Sequence, residues 1–242
     1  MSRMLPALPA TLALAALSII TISCGSINLA QVRVINAIPD SGPTDIYFNG
    51  TRIIPDLTFD TVQPNTTPAT YFSISSGSNT IQGFLPGDIT NPISPIGTFS
   101  FNGSTQYTVI AVGLELNEEP PLLLVDDNTV PVSGNVEFRI VNVSPSSPAN
   151  GVDVYFVPPG TDITNYTPQI SGLGNGQTSP YQSLPFITGG YAAIVTANLS
   201  KTLLITEPSA SQSGSITTMV LVDNPGGNNG MSRTPLVLED LN

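Results

Sequence analysis

The residues able to do chemistry in this sequence are few, and their spacing serves it badly. There is no His to act as general base for a serine, which nucleophilic catalysis ordinarily needs. A lysine can replace the histidine, yet Lys201 has only Ser200 beside it, and on a strand adjacent side chains point to opposite faces. Glu115, Glu118 and Glu119 lie just before Pro120, and Asp126-Asp127 form a second acidic group. Two carboxylates about 5–9 Å apart can hydrolyse a glycoside, but no motif fixes such a pair here. No catalytic residue is expected.

Metal and cofactor chemistry fares no better. Zinc and copper sites draw on His and Cys, and the single Cys is Cys24. Calcium takes oxygen ligands; Asp126-Asp127-Asn128 and Asp223-Asn224 offer some, without an Asp-x-Asp-x-Asp loop. Whether calcium binds there stays open, and no metal or cofactor is expected. The stretches Gly172-Leu-Gly174-Asn-Gly176 and Gly226-Gly-Asn-Asn-Gly230 are not phosphate cradles, which need a helix N-terminus after the glycines.

Residues that recur at equivalent places form a candidate ligand surface instead. Arg33 and Arg139 occupy matching strand positions, as do Asp45 with Asp153 and Tyr47 with Tyr155. Each Arg either pairs across strands with the Asp of its own copy or recognises an anionic ligand. Each Tyr either packs in the core or floors a sugar-stacking surface. The Asn-x-Ser/Thr sequons at Asn49, Asn65, Asn102, Asn142, Asn165 and Asn198 are coincidences in a bacterial chain and glycosylation sites in a eukaryotic secreted one.

The elements that would position these residues are strands. Pro 23, Gly 21 and only 10% charged residues, with abundant Val, Ile, Thr and Asn, favour strands and tight turns over helices. Val32-Arg-Val-Ile-Asn-Ala-Ile-Pro39 matches Phe138-Arg-Ile-Val-Asn-Val-Ser-Pro145, and Thr44-Asp-Ile-Tyr-Phe48 matches Val152-Asp-Val-Tyr-Phe156. Ile74-Ser-Ser-Gly77 matches Ile187-Thr-Gly-Gly190, and Pro121-Leu-Leu-Leu-Val-Asp-Asp-Asn128 matches Pro235-Leu-Val-Leu-Glu-Asp-Leu-Asn242. A pattern written twice implies two copies of one unit. Asn49-Gly50 and Asn102-Gly103 read as two-residue hairpin turns. The expected fold is all-β: two tandem antiparallel β-sandwich domains, immunoglobulin-like or transthyretin-like. Each copy of roughly a hundred residues is large enough to fold alone.

Arg3 followed by an uncharged, apolar stretch from Leu5 to Ile22 has the layout of an export signal. Its end, Ile20-Thr-Ile-Ser-Cys24-Gly25, resembles a bacterial lipobox, with Thr21 where Leu is usual. The lipidation candidate is Cys24. The expected division is 1–23 signal peptide, 24–30 tether, 31–128 first sandwich, 129–134 linker and 135–242 second sandwich. Gly25 at the second mature position favours an outer-membrane destination, with secretion as the alternative. A net charge of −11 excludes nucleic acid, which needs basic stripes.

The motif Val32-Arg-Val-Ile-Asn-Ala-Ile-Pro-Asp40 followed by Thr44-Asp-Ile-Tyr-Phe-Asn-Gly50 resembles the signature of domain-of-unknown-function family 4397. The resemblance extends over 31–242, with Ser146 standing where an acidic residue is common in the family. It implies a tandem β-sandwich in a bacterial cell envelope and brings no activity or site residue with it. The expectation is a non-enzymatic, lipid-anchored surface or periplasmic interaction or adhesion module with an unknown protein or glycan partner. Binding of a carbohydrate or small ligand is the alternative, and a glycan hydrolase the third reading.

Overall fold

In the computed structural model the described residues are 28–64, 71–93, 97–115, 117–158, 160–189, 191–196, 200–208, 213–226 and 230–240. Cys24 and the signal segment lie outside them, as do Asn65, Asn198 and 227–229. Among the described residues there is no helix, and so none long and apolar enough to cross a membrane.

The N-terminal half supplies β1 (Leu29–Asn36), β2 (Thr44–Phe48), β3 (Thr51–Leu57), β4 (Thr61–Gln63), β5 (Phe72–Ser75) and β6 (Gly77–Phe84). It continues with β7 (Gly97–Phe101), β8 (Gln106–Ala111), the short β9 (Gly113–Leu114) and β10 (Asn117–Glu118), and β11 (Leu122–Asp126). The C-terminal half supplies β12 (Asn135–Asn142), β13 (Val152–Val157), β14 (Ile170–Leu173), β15 (Gln177–Thr178) and β16 (Gln182–Pro185). It ends with β17 (Tyr191–Thr196), β18 (Leu203–Pro208), β19 (Ile216–Leu221) and β20 (Leu236–Glu239).

Among the described residues four larger sheets, beside the two-stranded β9-β10, carry the fold, and no strand of one half enters a sheet of the other. The N-terminal half forms β3-β2-β6-β7 and β11-β8-β1-β4, with β5 also on β1; the C-terminal half forms β14-β13-β17-β18 and β15-β12-β19-β20, with β16 also on β12. The expectation of purely antiparallel pairing is corrected at the centre of two sheets, where β1 pairs with β8 and β12 with β19 in parallel. The chain between each parallel pair builds the opposite sheet, which supplies the long crossover that parallel strands require.

The expected hairpins divide. Asn49-Gly50 joins β2 to β3, with positive φ at both residues (49° and 76°), as a two-residue turn of the mirror-image kind demands. Asn102-Gly103 joins no hairpin: β7 pairs with β6, whereas β8 pairs with β1 and β11. The chain crosses between sheets there. Phe101 and Tyr107 meet edge to face at 5.0 Å, and the Tyr107 hydroxyl accepts from the Asn102 amide at 2.8 Å.

Side-chain alternation makes a four-layer stack. Val32, Val34, Tyr107 and Val109 pack with Ile46, Phe48, Ile54 and Ile81 between the sheets of the N-terminal half. Phe138, Ile140, Met219 and Leu221 pack with Val154, Phe156 and Ile194 in the C-terminal half. The opposite faces of β1, β8, β12 and β19 meet each other. Ile35, Ala37, Ile110, Val112 and Leu124 form one buried layer with Val141, Val143, Val220, Val222 and Leu238. Strands buried on both faces read as nearly continuous apolar runs, as Val32–Ile38 does. The expectation that each half folds alone meets this layer, which either half by itself would expose to water.

Candidate functional site

The functional groups of the chain converge inside that layer. β1 and β12 each place an Arg among apolar neighbours, one residue out of phase with the sandwich core, so period-two alternation aims Arg33 and Arg139 at the opposite half. Both are buried, at 3% and 4% exposure. Arg33 Nε donates to Thr108 Oγ1 of its own half at 2.7 Å, Nη1 to the Glu239 carbonyl at 3.0 Å, and Nη2 to Asp240 Oδ1. Arg139 repeats the arrangement in reverse. Its Nε donates to Thr218 Oγ1 at 3.0 Å, Nη1 to the Val125 carbonyl at 2.9 Å, and Nη2 to Asp126 Oδ1 at 2.7 Å.

Each carboxylate is held further by donors of its own half. Asp126 Oδ2 accepts from Thr108 Oγ1 at 2.6 Å and from the Tyr71 hydroxyl at 3.2 Å. Asp240 Oδ2 accepts from Thr218 Oγ1 and from the Tyr181 hydroxyl, the latter at 2.8 Å. The guanidinium carbons lie over the rings of the same tyrosines, Arg33 at 5.2 Å from Tyr71 and Arg139 at 4.4 Å from Tyr181. Planar guanidinium groups suit both bidentate donation and stacking. Arg33 also sits 3.5 Å from Asp126 within its own half. Two positive and two negative groups are thus mutually neutralised in a seam closed to solvent.

Burial and neighbouring charge set the ionisation of the seam. Burial disfavours the Arg33 charge, but the Asp126 and Asp240 carboxylates outweigh it and hold the guanidinium above its ordinary value. Burial pushes the Asp240 carboxyl up, with Arg33 pulling it back. Burial first, then Asp126 for Tyr71 and Asp240 for Tyr181, drives both phenols well above their ordinary value of 10.0.

The remaining candidate residues are scattered. The cross-strand pairing of Arg33 with Asp45 and of Arg139 with Asp153 is corrected. Asp45 accepts from Arg52 and from the Asp56 amide, both at 3.0 Å, and Asp153 accepts from the Gly172 amide at 2.9 Å. The closest pairs of Arg33 and Arg139 run between halves, to Asp240 and Asp126, whereas Asp45 and Asp153 lie on β2 and β13 in the other sheet of each half. Tyr155 is 1% exposed, with the Lys201 ammonium 4.9 Å above its ring. That ammonium donates to the carbonyls of Ile163, Thr164 and Tyr166 at 2.9–3.0 Å, so it is engaged and does not serve Ser200. Tyr47 is half-buried and edge-on to Phe84 at 5.2 Å. No shared exposed face therefore joins Tyr47, Tyr155, Arg33 and Arg139.

The acids divide in the same way. Asp223 is buried and bonded to the hydroxyls of Ser144 and Ser146. Asp127 accepts from the Thr129 amide at 2.8 Å, and the Glu115 amide donates to Asp40 at 2.9 Å. Among the described residues no group of three His, Cys, Asp or Glu side chains could hold a metal ion. An apolar cleft lined by Val136, Phe138, Phe156, Leu184 and Ile187 has about 10 Å³ of free space, room for about one water. Asn142 is fully buried and closed to glycosylation. Asp240, Thr108, Thr218, Tyr71 and Tyr181 escaped the sequence reading, although the alignment of Asp126 with Asp240, each ending an apolar run, was the signal for them.

The profile of the family described as Domain of unknown function (DUF4397) matches residues 30–155. The chain belongs to the DUF4397 family. The match runs from β1 into β13 and stops at Tyr155, short of the expected resemblance over 31–242. It covers Arg33, Tyr71, Thr108, Asp126 and Arg139 and leaves out Thr218 and Asp240. No curated protein matches this DUF4397 chain. A solved structure titled "Alpha-glucan recognition by family 41 carbohydrate-binding modules from streptococcal virulence factors" aligns at 11% identity, over 85% of this chain and 97% of that one, with a TM-score of 0.25. A likeness that distant carries no argument about ligand.

Proposed function

We propose that this DUF4397 chain is a non-enzymatic interaction module of the cell envelope, built from two tandem β-sandwich copies and tethered through an acylated Cys24. One observation carries the reading. The groups best suited to chemistry, two Arg, two Asp and two Tyr, are spent on joining the halves in a sealed seam. Such a seam makes a rigid body that presents loops. The equal strand orders of the two halves and the reciprocal bonding of the seam support the tandem-copy reading. The lipobox-like Ile20–Gly25 supports the anchor, and Gly25 supports the outer membrane. Several acyl CH₂ groups at about 0.8 kcal/mol each hold a protein stably on a bilayer.

Fatty-acid labelling and fractionation of the parent and of Cys24→Ser test the anchor. The parent is expected to be labelled and membrane-bound, and the variant unlabelled and soluble. Equal membrane recovery of the two would end the proposal. A pull-down from envelope extract, run beside a glycan array, tests the module. Saturable capture of a protein supports it; turnover of a polysaccharide, lost with a single Glu→Gln change, would replace it with the hydrolase.

A further inference from the structure

We propose that the end of the molecule from which the N-terminal segment leaves is a lipid-contact surface, with Val130 and Val132 at its centre and the bilayer as its partner. This rests on the acylated Cys24 proposed above and says which way the protein faces.

The geometry of that end follows from the pairings. Leu29 begins β1 and pairs with Ser75, and its carbonyl accepts from the Ser104 amide. β8 runs parallel to β1 from the same end, with Gln31 opposite Gln106, and β11 comes back to finish there, with Asp126 opposite Gln106. β12 comes from there too: Arg139, midway along it, reaches the Val125 carbonyl and Asp126 at the close of β11. At the far end, the Gly226 amide of the C-terminal half donates to the Pro39 carbonyl of the N-terminal half at 2.6 Å. The halves therefore stand side by side, both with their β1-like strands starting at the anchored end.

The connection from β11 to β12 caps that end and is unusually apolar for a loop. Val130 and Val132 are 71% and 74% exposed, while Pro131 between them is buried and fixes the loop. Leu29 and Ile187 add exposed apolar surface at the same end, Ile187 following the Phe186 amide that donates to Gly134. Arg33 and Arg139 are withdrawn into the seam and offer the contact no charge, and Asp127, the one charge of the connection, caps the Thr129 amide, so the contact rests on the apolar side chains. The reach of the tether decides the occupant. From Cys24 to Leu29 a fully extended chain spans at most about 18 Å, so acyl chains seated in a bilayer hold this end against its surface. Exposed apolar clusters on soluble faces mark contact sites, and this one has the bilayer within reach.

Site-specific labelling tests it on the full acylated protein in phosphatidylcholine vesicles doped with headgroup-nitroxide lipid. A fluorophore on Val132→Cys is expected to be quenched. One on Ile89→Cys, exposed in the β6–β7 connection at the far end, is expected to stay bright. A label on Ile187→Cys should lose its quenching when Val130→Asp and Val132→Asp are combined, with the protein still vesicle-bound. Equal quenching at 132 and 89, with Cys24 acylated by mass spectrometry, overturns this proposal alone. An unacylated Cys24 overturns the anchor and this proposal together.

Discussion

Replacing Asp240 by Ala tests whether the seam holds the two halves together. Its side chain has no exposure and accepts from Arg33, Thr218 and Tyr181. With it gone, Arg33 keeps its bonds to Thr108 and the Glu239 carbonyl, but its one remaining carboxylate is Asp126 at 3.5 Å, and it becomes a buried charge short of a counterion. Breaking one side of a buried pair costs about 3–5 kcal/mol. At about 2–4 °C per kcal/mol for a chain of this size, the melting temperature should fall by about 10 °C. Adding Arg33→Met to Asp240→Leu removes both charges, and apolar replacement of a buried pair is often neutral. The Tyr181 and Thr218 hydroxyls then still lack an acceptor, at about 1–3 kcal/mol, so the double variant should recover only part of the loss. Near-UV circular dichroism through thermal and urea unfolding reads both effects, and the parent should unfold in one transition. The reasoning is refuted if Asp240→Ala melts within about 3 °C of the parent, or if the double variant is the sum of its singles.

Two further outcomes follow from the same coordinates. The raised phenols of Tyr71 and Tyr181 mean that the folded chain keeps protons that the unfolded chain releases above pH 10.0. Their contribution is therefore complete below that pH and is lost progressively as pH rises from it through the raised folded values. Melts taken with phenolate absorbance should show steepening alkaline destabilisation, reduced in Tyr71→Phe and Tyr181→Phe; full phenolate titration before unfolding would contradict this. Gly151 has φ +76° and a Cβ there would meet the Gly172 and Leu173 backbone at 2.7 Å, whereas Gly134, with φ +87°, faces open space. Gly151→Ala should cost well over about 1 kcal/mol and more than Gly134→Ala, and equal melting temperatures would show that the contact is not real.

The strands were readable because alternation and turn chemistry are local. Val32–Asn36 and Phe138–Asn142 announced β1 and β12, and Asn49-Gly50 announced its hairpin. Asn102-Gly103 misled because the dipeptide reports a tight turn and not which sheet the next strand joins; Phe101 against Tyr107 decides that across the core. The parallel pairings escaped for the same reason, being set by a crossover some seventy residues long. Arg33 stands out in the sequence, with Asp45 as one of two readings for its partner, and the partner it meets is Asp240. Asp45 is near in sequence, while Asp240 is 207 residues away, and nothing local distinguishes an arginine that faces water from one that faces another sheet. A charge placed inside an apolar run in both halves was the clue.

The short distance between Arg33 and Asp126 has a bearing on how the chain matures. Synthesis proceeds from the N-terminus, so the first guanidinium meets an acid of its own half long before Asp240 exists. That provisional neighbour shields it at 3.5 Å without the close contact that β20 later brings. Until the other half covers it the guanidinium is also open to water, so assembly can pause half-made without burying an unpaired charge, and it latches only once the last strand arrives. A chain cut short before β20 would be tolerated during its making and still never close.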